Sequence, residues 1–274
     1  MLVLEVTKPE KAYAAAAWAL AVYGRVFNRP NWQATQALDD MLEVMHVVLE
    51  VRAPTTIEEA QAAFQPELPW AEEHFQERVS GEPLNPGTAY LKWPRYLNQP
   101  PELREKFLEV EGRMHSHTYM ERFWPKSLLP RGVRYPTGDL ADVVDLLKRD
   151  PTTRRAYLPV WFPEDTGALE YRVPCSLGYL FMSPDGVTLD VEYYIRSVDL
   201  IRHFRNDLYM AARLLQWVGE RAEFKPGKVV MAIGNLHAWA RERGVVERIA
   251  SGWQELRLFN RSFTGLRGGL KILA

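Results

Sequence analysis

Two strongly strand-forming segments, separated by a short turn, place the tightest constraint on how this chain folds. SLGYLFM and TLDVEYYI are rich in aromatic and β-branched residues, and the turn sequence SPDGV lies between them. Residues of these types favour β-strands, and Asp-Gly in a short connection favours a hairpin. The sequence therefore predicts two antiparallel strands side by side in a sheet over residues 176–195.

Segments with helical patterns lie on both sides of this hairpin. Helices are predicted over residues 9–23, 53–64, 70–81, 102–121, 139–150 and 207–222, with Asp139 as a candidate cap and Gly81 as a candidate stop. Residues 36–52 are predicted to begin as a helix and end as a strand, and residues 154–162 and 228–239 are predicted as strands. Because no repeat or long linker interrupts the chain, we expect one α+β domain over residues 1–274, with a mostly antiparallel sheet.

The charge and cysteine content narrow the class of protein. The formal net charge is −1, so no global field would hold a nucleic acid polymer. The single cysteine excludes an intrachain disulfide and a thiolate-rich metal site, and it fits a reducing cytoplasm. The apolar run AYAAAAWALAVYG is too short to cross a bilayer, so we expect a buried helix there and no membrane partner.

Four polar features follow one another in the second half of the chain. Each is weak alone, because paired arginines are usually solvated and a lone cysteine is usually a small buried hydrophobe. The features are Arg154-Arg155 before a strand, Pro174-Cys175, Arg196-Ser197-Val198-Asp199, and Gly234-Asn235-Leu236-His237-Ala238-Trp239.

In this order and spacing the four features resemble the thymidylate synthase family, in particular its pyrimidine hydroxymethylase branch. The resemblance covers residues 139–243; LNPGTAYLKW is a fainter match to the family's Tyr-Gly-x-x-Trp segment, and the first 65 residues match poorly. It implies a thymidylate synthase-like fold and a homodimer formed through the sheet. It also implies a pyrimidine nucleoside monophosphate as substrate and 5,10-methylenetetrahydrofolate as cofactor.

The resemblance assigns a nucleophile and a phosphate site. Cys175 is similar to the family thiolate that adds to carbon 6 of the pyrimidine, which makes carbon 5 nucleophilic. A thiol needs a positive neighbourhood to ionise near pH 7, and Arg196 resembles the arginine that supplies this charge and also contacts the phosphate. Ser197 would add a hydroxyl donor. Arg154 and Arg155 resemble the pair that reaches the partner's nucleotide phosphate.

The sugar and cofactor positions depart from the family pattern in two places. His237 resembles the histidine that binds the sugar hydroxyl, but Trp239 stands where the family has a tyrosine. Asp199 resembles the aspartate that holds the pterin of the folate, but His203 stands where the family has a glycine at the folate pocket. The choice between ribose and deoxyribose therefore stays open.

Asp207 is the position that discriminates between bases. Thymidylate synthases have Asn here, whereas bacteriophage deoxycytidylate hydroxymethylases have Asp within a similar FRND segment. A carboxyl group can accept from the cytosine amine and, when protonated, donate to the ring nitrogen. Ser176 follows Cys175 where thymidylate synthases have His, which favours a hydroxymethyl product. We therefore expect dCMP, or else CMP, as substrate. The alternatives are a uracil nucleotide with a methyl or hydroxymethyl product, and a silent nucleotide-binding homologue.

Other polar residues carry weaker expectations. Glu73 is the first candidate and Glu72 the second for the family's proton-relay glutamate, although a solvated helix face is an equal alternative. The HSH sequence at residues 115–117 invites a metal interpretation, but no cysteine or acidic cluster accompanies it, so we expect no metal. Arg202 and Arg205 are open to interpretation as surface charges.

Overall fold

A seven-stranded sheet organises the described part of the chain. The computed structural model describes residues 1–30, 38–94, 117–125, 138–167 and 173–253. The strands are β1 (Leu2–Val6), β2 (Arg25–Pro30), β3 (Leu38–Arg52), β4 (Ala156–Pro159), β5 (Ser176–Met182), β6 (Thr188–Asp199) and β7 (Lys225–Trp239). The sheet order is β1-β3-β7-β6-β5-β4, and β2 pairs with the first half of β3.

Seven α-helices accompany the sheet within the described ranges. They are α1 (Ala12–Tyr23), α2 (Ile57–Phe64), α3 (Trp70–Arg78), α4 (Tyr119–Phe123), α5 (Leu140–Arg149), α6 (Phe204–Ala222) and α7 (Arg243–Ala250). Asp139 stands at the N-cap of α5, as the sequence predicts. None of these helices is long and apolar enough to cross a bilayer.

The sheet is mostly antiparallel, as predicted. Among the strands of the described ranges, only the pairs β1–β3 and β6–β7 are parallel. The predicted hairpin is confirmed as β5 and β6, with Tyr179 opposite Tyr193. Its turn is held by the Asp185 carboxylate, which accepts from the backbone N–H groups of Val187 at 2.8 Å and Thr188 at 2.7 Å.

The helical start predicted for residues 36–52 is wrong for the described part of that segment, because from Leu38 onwards it forms the single strand β3. This strand pairs with β2 and β7 along its first half and with β1 and β7 along its second half. Pairing on both sides outweighs the weak helical preference of the first residues. The helix predicted over residues 102–121 lies mostly outside the described residues, and its last part overlaps the short helix α4.

Helix α6 connects the parallel strands β6 and β7. The helix buries Leu208, Leu215 and Val218 almost completely. These positions recur at helical spacing, so one face of α6 packs into the core against the sheet. The crossover brings the carboxyl ends of β6 and β7 to one edge of the sheet, which is where α6 begins.

Gly234 permits a close approach of two strands next to this edge. A Cβ atom at this position would lie 2.7 Å from the Arg196 carbonyl oxygen, closer than real side-chain carbons come. On its other side, β6 contacts the segment before β5, because the Arg196 backbone N–H donates to the Cys175 carbonyl oxygen at 2.9 Å. The glycine therefore allows the packing that positions the segment carrying the cysteine.

Candidate active site

Several of the predicted site residues lie on the elements that meet at the edge of the sheet where β6 and β7 end and β5 begins. Cys175 directly precedes β5, Asp199 is the last residue of β6, and His237 pairs with Asp199 on β7. Asp207 lies in the first turn of α6. The carboxyl ends of parallel strands at a crossover are a common place for a ligand in α/β sheets.

The segment carrying Cys175 is fixed by Arg196. The Arg196 guanidinium donates to the Pro174 carbonyl oxygen at 2.9 Å and to the Val173 carbonyl oxygen at 3.3 Å. The thiol is partly buried and forms no disulfide. Arg196 itself is exposed, and a guanidinium has five N–H groups, so donors remain for an anion such as a phosphate.

A cluster of buried hydroxyl groups lies beside the nucleophile candidate. The Ser176 hydroxyl is 2.6 Å from the Tyr193 hydroxyl, and it donates to the Tyr119 hydroxyl at 3.2 Å. The Tyr193 ring stacks on Tyr179 with centroids 4.6 Å apart. Burial raises the pKa of all three tyrosines, so the hydroxyl groups are neutral near pH 7.

Tyr119 was missed by the sequence interpretation. The local signal was the capping box of Thr118 and Glu121, in which each side chain contacts the other residue's backbone N–H. That pattern marks a helix start. It cannot show that the tyrosine meets a serine 57 positions later in the chain.

The carboxyl group of Asp207 has a pKa far from its ordinary value. Burial raises the pKa of its carboxyl group to about 7, although the nearby positive charge of Arg78 opposes the shift. The negative charge of Asp199 adds to the increase. Near neutral pH the carboxyl group can therefore exist in either form, as a hydrogen-bond donor or as an acceptor alone.

His237 and Ser197 contact each other across the ends of β7 and β6. The Ser197 hydroxyl lies 3.3 Å from Nδ1 of His237, and the same nitrogen lies 3.0 Å from the Asn235 side-chain oxygen. Burial lowers the pKa of His237, partly opposed by the charges of Asp199 and Glu43. The imidazole is therefore neutral near pH 7, which suits hydrogen bonding to an uncharged hydroxyl group.

Arg202 is part of the site's framework rather than a free surface charge. Its guanidinium donates to Asp199 Oδ2 and Glu242 Oε2, both at 2.9 Å. The same group lies 3.6 Å from the Trp239 ring centroid, and Arg241 lies 3.7 Å from that centroid. Trp239, predicted to replace the family tyrosine, therefore lies between two cationic side chains, which fixes its ring.

His203 belongs to a row of aromatic rings beside Asp199. Its ring centroid lies 5.9 Å from that of Trp93, which stacks on Trp70 at 5.4 Å, and Trp70 stacks on His74 at 5.3 Å. Asp199 Oδ1 accepts two backbone N–H groups and Oδ2 accepts Arg202, which leaves room for one further donor. Ring faces beside a carboxylate suit a planar heterocycle with N–H groups, such as the pterin of a folate.

The two glutamate candidates for proton relay have other contacts. Glu73 forms an exposed ion pair with Lys92 at 2.8 Å. Glu72 accepts from the Arg213 guanidinium at 3.0 and 2.9 Å and from the Tyr209 hydroxyl at 2.5 Å. These contacts do not join either glutamate to the hydroxyl cluster beside Cys175, so the relay role remains a prediction.

Two further predictions concern the adjacent arginines Arg154 and Arg155 and the histidines of the HSH sequence. Arg154 and Arg155 are exposed immediately before β4. His117 contacts Tyr119 edge-on, whereas His115 lies outside the described residues. Within the ranges that the structure describes, no three His, Cys, Asp or Glu side chains are grouped to hold a metal ion.

Comparisons with known proteins agree with this geometry. The thymidylate synthase family model matches residues 104–251. A thymidylate synthase of Cereibacter sphaeroides is 26% identical over 145 residues, which cover 51% of this chain and 47% of that protein. A putative thymidylate synthase of Methanosarcina barkeri is 31% identical over 111 residues, covering 40% of this chain and 50% of that protein.

The thymidylate synthase of Enterobacteria phage T4 is 29% identical over 102 residues, covering 36% of this chain and 34% of that protein. This chain spans half or less of the length of these three relatives. The family model nevertheless covers more than half of the 274 residues, and the predicted fold class is confirmed. The chain belongs to the thymidylate synthase family.

Proposed function

We propose that the protein transfers a one-carbon unit to carbon 5 of a cytidine nucleotide, with dCMP the favoured substrate, and leaves a hydroxymethyl group there. The observation that carries the proposal is Asp207. It lies in the same site as Cys175 and has a pKa of about 7. A neutral carboxyl group donates to the cytosine ring nitrogen and accepts from the exocyclic amine, and once ionised it still accepts from that amine but repels the uracil carbonyl oxygen.

Cys175 provides the covalent step. Its thiolate adds to carbon 6 of the pyrimidine, and the resulting electron-rich carbon 5 becomes the nucleophile. Methylenetetrahydrofolate, when bound, supplies the one-carbon unit. Loss of the carbon 5 proton with release of tetrahydrofolate would leave an exocyclic methylene group on the pyrimidine, water would add to that carbon, and the carbon–sulfur bond would then break to restore the thiolate. The hydroxyl groups of Ser176, Tyr119 and Tyr193 provide a polar environment beside this carbon, which suits the addition of water.

The remaining residues of the site are assigned by their placement and by the family resemblance. Arg196 and Ser197 bind the phosphate, and His237 and Trp239 contact the sugar. Asp199 and His203 lie beside the pterin. Glu73 remains the first candidate for proton relay, through water. The partner protomer's copies of Arg154 and Arg155 complete the phosphate site.

A uracil nucleotide is the second candidate substrate. The three relatives described above are all named thymidylate synthases, one of them putatively. The carboxyl group of Asp207 favours cytosine instead, because its ionised form repels the uracil carbonyl oxygen. A silent homologue that only binds nucleotide is a third alternative, which the presence of both a thiol and a base-reading group makes less attractive.

The test uses dCMP, CMP and dUMP, each labelled with tritium at carbon 5, together with methylenetetrahydrofolate. We expect tritium release from a cytidylate and a product heavier by one hydroxymethyl group, measured by mass spectrometry. Release from dUMP alone would reject the assignment of Asp207 to cytosine. No release from any of the three nucleotides would favour the silent homologue.

The proposed dimer uses the face of the sheet opposite the helices. Leu49, Met231 and Tyr193 are almost completely buried on the helix side. The adjacent residues Val48, Ala232 and Tyr194 pair across β3, β7 and β6 on the other face. These three are only part-buried in the single chain, although two of them are apolar. A second copy packed on this face would cover them.

Ala232→Arg is expected to convert the dimer into a monomer, because it places a charge in the middle of the proposed contact. Light scattering after gel filtration measures the mass. The control is Val22→Arg, which introduces the same charge at a position on α1 that is 55% exposed. A wild-type protein that is monomeric at micromolar concentration would reject both the dimer and the shared phosphate site.

A further inference from the structure

Three arginines are buried to the same extent, but only two of them have a carboxylate partner. Arg78, Arg122 and Arg213 are each 6% exposed. Arg122 pairs with Asp165 at 2.9 Å, and Arg213 pairs with Glu72 at 2.9 Å. Arg78 forms no ion pair with any described residue, and its Nε has no hydrogen-bond partner there. A buried cation without a counter-ion is costly, so its presence calls for a functional reason.

Arg78 lies against the hydroxyl cluster of the candidate active site. Its guanidinium carbon is 4.0 Å from the Tyr119 ring centroid. The Tyr119 hydroxyl in turn accepts from Ser176, the residue next to Cys175. The backbone of Arg78 is held as well, because Trp124 Nε1 donates to its carbonyl oxygen at 2.8 Å. The Arg78 guanidinium therefore lies against Tyr119, which belongs to the hydroxyl cluster beside Cys175.

Two acidic groups of the site are available as its counter-ion. Asp207 is one, but its pKa remains well above the ordinary value despite Arg78, so this carboxyl group does not neutralise the cation fully. The Cys175 thiol is the other. Arg196, expected to activate the thiol, is exposed and uses two of its donors on the Pro174 and Val173 carbonyl groups.

We propose that Arg78 is a positioning residue that holds Cys175 as a thiolate, by supplying a buried cation that packs on the Tyr119 ring and is shielded from water. The proposal deepens the proposed function because it concerns the activation of its nucleophile. When Cys175 ionises, its thiolate becomes the counter-ion of the buried Arg78. The cation lowers the energetic cost of the negative sulfur, and the sulfur offsets the cost of burying the cation.

Other groups around the thiol and Asp207 affect the pH dependence. Tyrosines from α4, β5 and β6 face the site, and burial keeps them neutral near pH 7. Asp207 gains negative charge near pH 7 and so opposes formation of the thiolate. Arg78 offsets both negative charges. The charged and titratable groups involved are Arg78, Tyr119, Tyr179, Tyr193, Arg196, Asp199 and Asp207.

The chain has one cysteine, so alkylation by iodoacetamide reports on Cys175 alone. We expect the alkylation rate of the wild-type protein to be half-maximal below pH 8.5, the approximate midpoint of an ordinary thiol. Arg78→Gln should move this midpoint up by about one pH unit and slow alkylation at pH 7 by roughly ten-fold. Arg78→Lys, which keeps the charge, should recover most of the rate.

Arg122→Gln is the matched control. It removes an equally buried arginine from a structural ion pair, so we expect lower thermal stability with an unchanged alkylation midpoint. A wild-type midpoint at or above pH 8.5 would overturn the proposal, and so would a folded Arg78→Gln protein with the wild-type midpoint. If Arg78→Gln does not fold, the test rests on the alkylation midpoints of the wild type and of Arg78→Lys, which we expect to lie below pH 8.5 in both proteins. Alkylation needs no substrate, so an absence of one-carbon transfer would count against the proposed function alone.

Discussion

Replacing Cys175 by alanine is expected to reduce tritium release from the labelled nucleotide by a factor of about 1,000 or more. Carbon 5 of a pyrimidine is a poor nucleophile until carbon 6 carries an added group. Without the thiolate neither exchange of the carbon 5 proton nor transfer of the one-carbon unit has an accessible route. The chain contains no second cysteine that could take over.

The alanine variant should still fold and bind nucleotide, because the phosphate and base contacts come from other side chains. Its thermal midpoint and its nucleotide affinity by calorimetry are the controls. Cys175→Ser keeps a similar shape with a far weaker nucleophile, and it should be nearly as inactive. An alanine variant that retains a tenth of the wild-type rate would mean that the reaction does not pass through this thiol.

The second half of the chain was predictable because its signals are local. The hairpin of β5 and β6 follows from alternating aromatic and β-branched residues around Asp-Gly, and α6 follows from apolar spacing. Strand β3 was not predictable in full, because the pairing partners that select a strand over a helix lie far away in the chain. The longest pairing of that strand is with β7, from Lys228 to Trp239.

The same distinction applies to the candidate site. Cys175, Asp199 and Asp207 were found because they stand in short, ordered motifs. Tyr119 and Arg78 stand in no such motif and reach the site only through packing of α3 against α4 and α6 and of α4 against β4. Sequence also cannot show which charges are already paired. Arg202 forms ion pairs with Asp199 and Glu242. Among the three arginines that are each 6% exposed, Arg122 and Arg213 pair with a carboxylate and Arg78 does not.

Asp207→Asn is expected to stabilise the protein at pH 8 by roughly 2–4 kcal/mol and to leave its stability at pH 3.5 nearly unchanged. The folded-state pKa of about 7 is above the ordinary value of 3.8, so the folded protein binds the proton more tightly than the unfolded chain. The stability that comes from binding this proton is present at low pH and is lost as the pH rises from about 4 to 7. Asparagine resembles the protonated carboxyl group at every pH.

The difference between the wild-type and variant unfolding free energies, measured by urea denaturation at each pH, isolates this contribution from other titrating groups. Asp185→Asn is a control for which we expect a change in unfolding free energy of the opposite sign. Backbone N–H groups of the hairpin turn lower the pKa of Asp185, so its carboxylate stabilises the protein above its ordinary pKa. That variant should lose stability at pH 8. Equal effects of Asp207→Asn at pH 3.5 and pH 8 would show that burial does not hold this carboxyl group near neutrality.

The same substitution tests how the base is recognised. An asparagine amide never carries the negative charge with which the ionised aspartate repels the uracil carbonyl oxygen, and it can donate to that oxygen while accepting from the ring N–H. We therefore expect the ratio of dCMP to dUMP turnover, measured by tritium release, to fall by roughly 100-fold in Asp207→Asn. A stability change with an unaltered base ratio would place Asp207 in the buried cluster but outside the contact with the base. Base choice would then depend on another group, and the cytosine assignment would lose its main support.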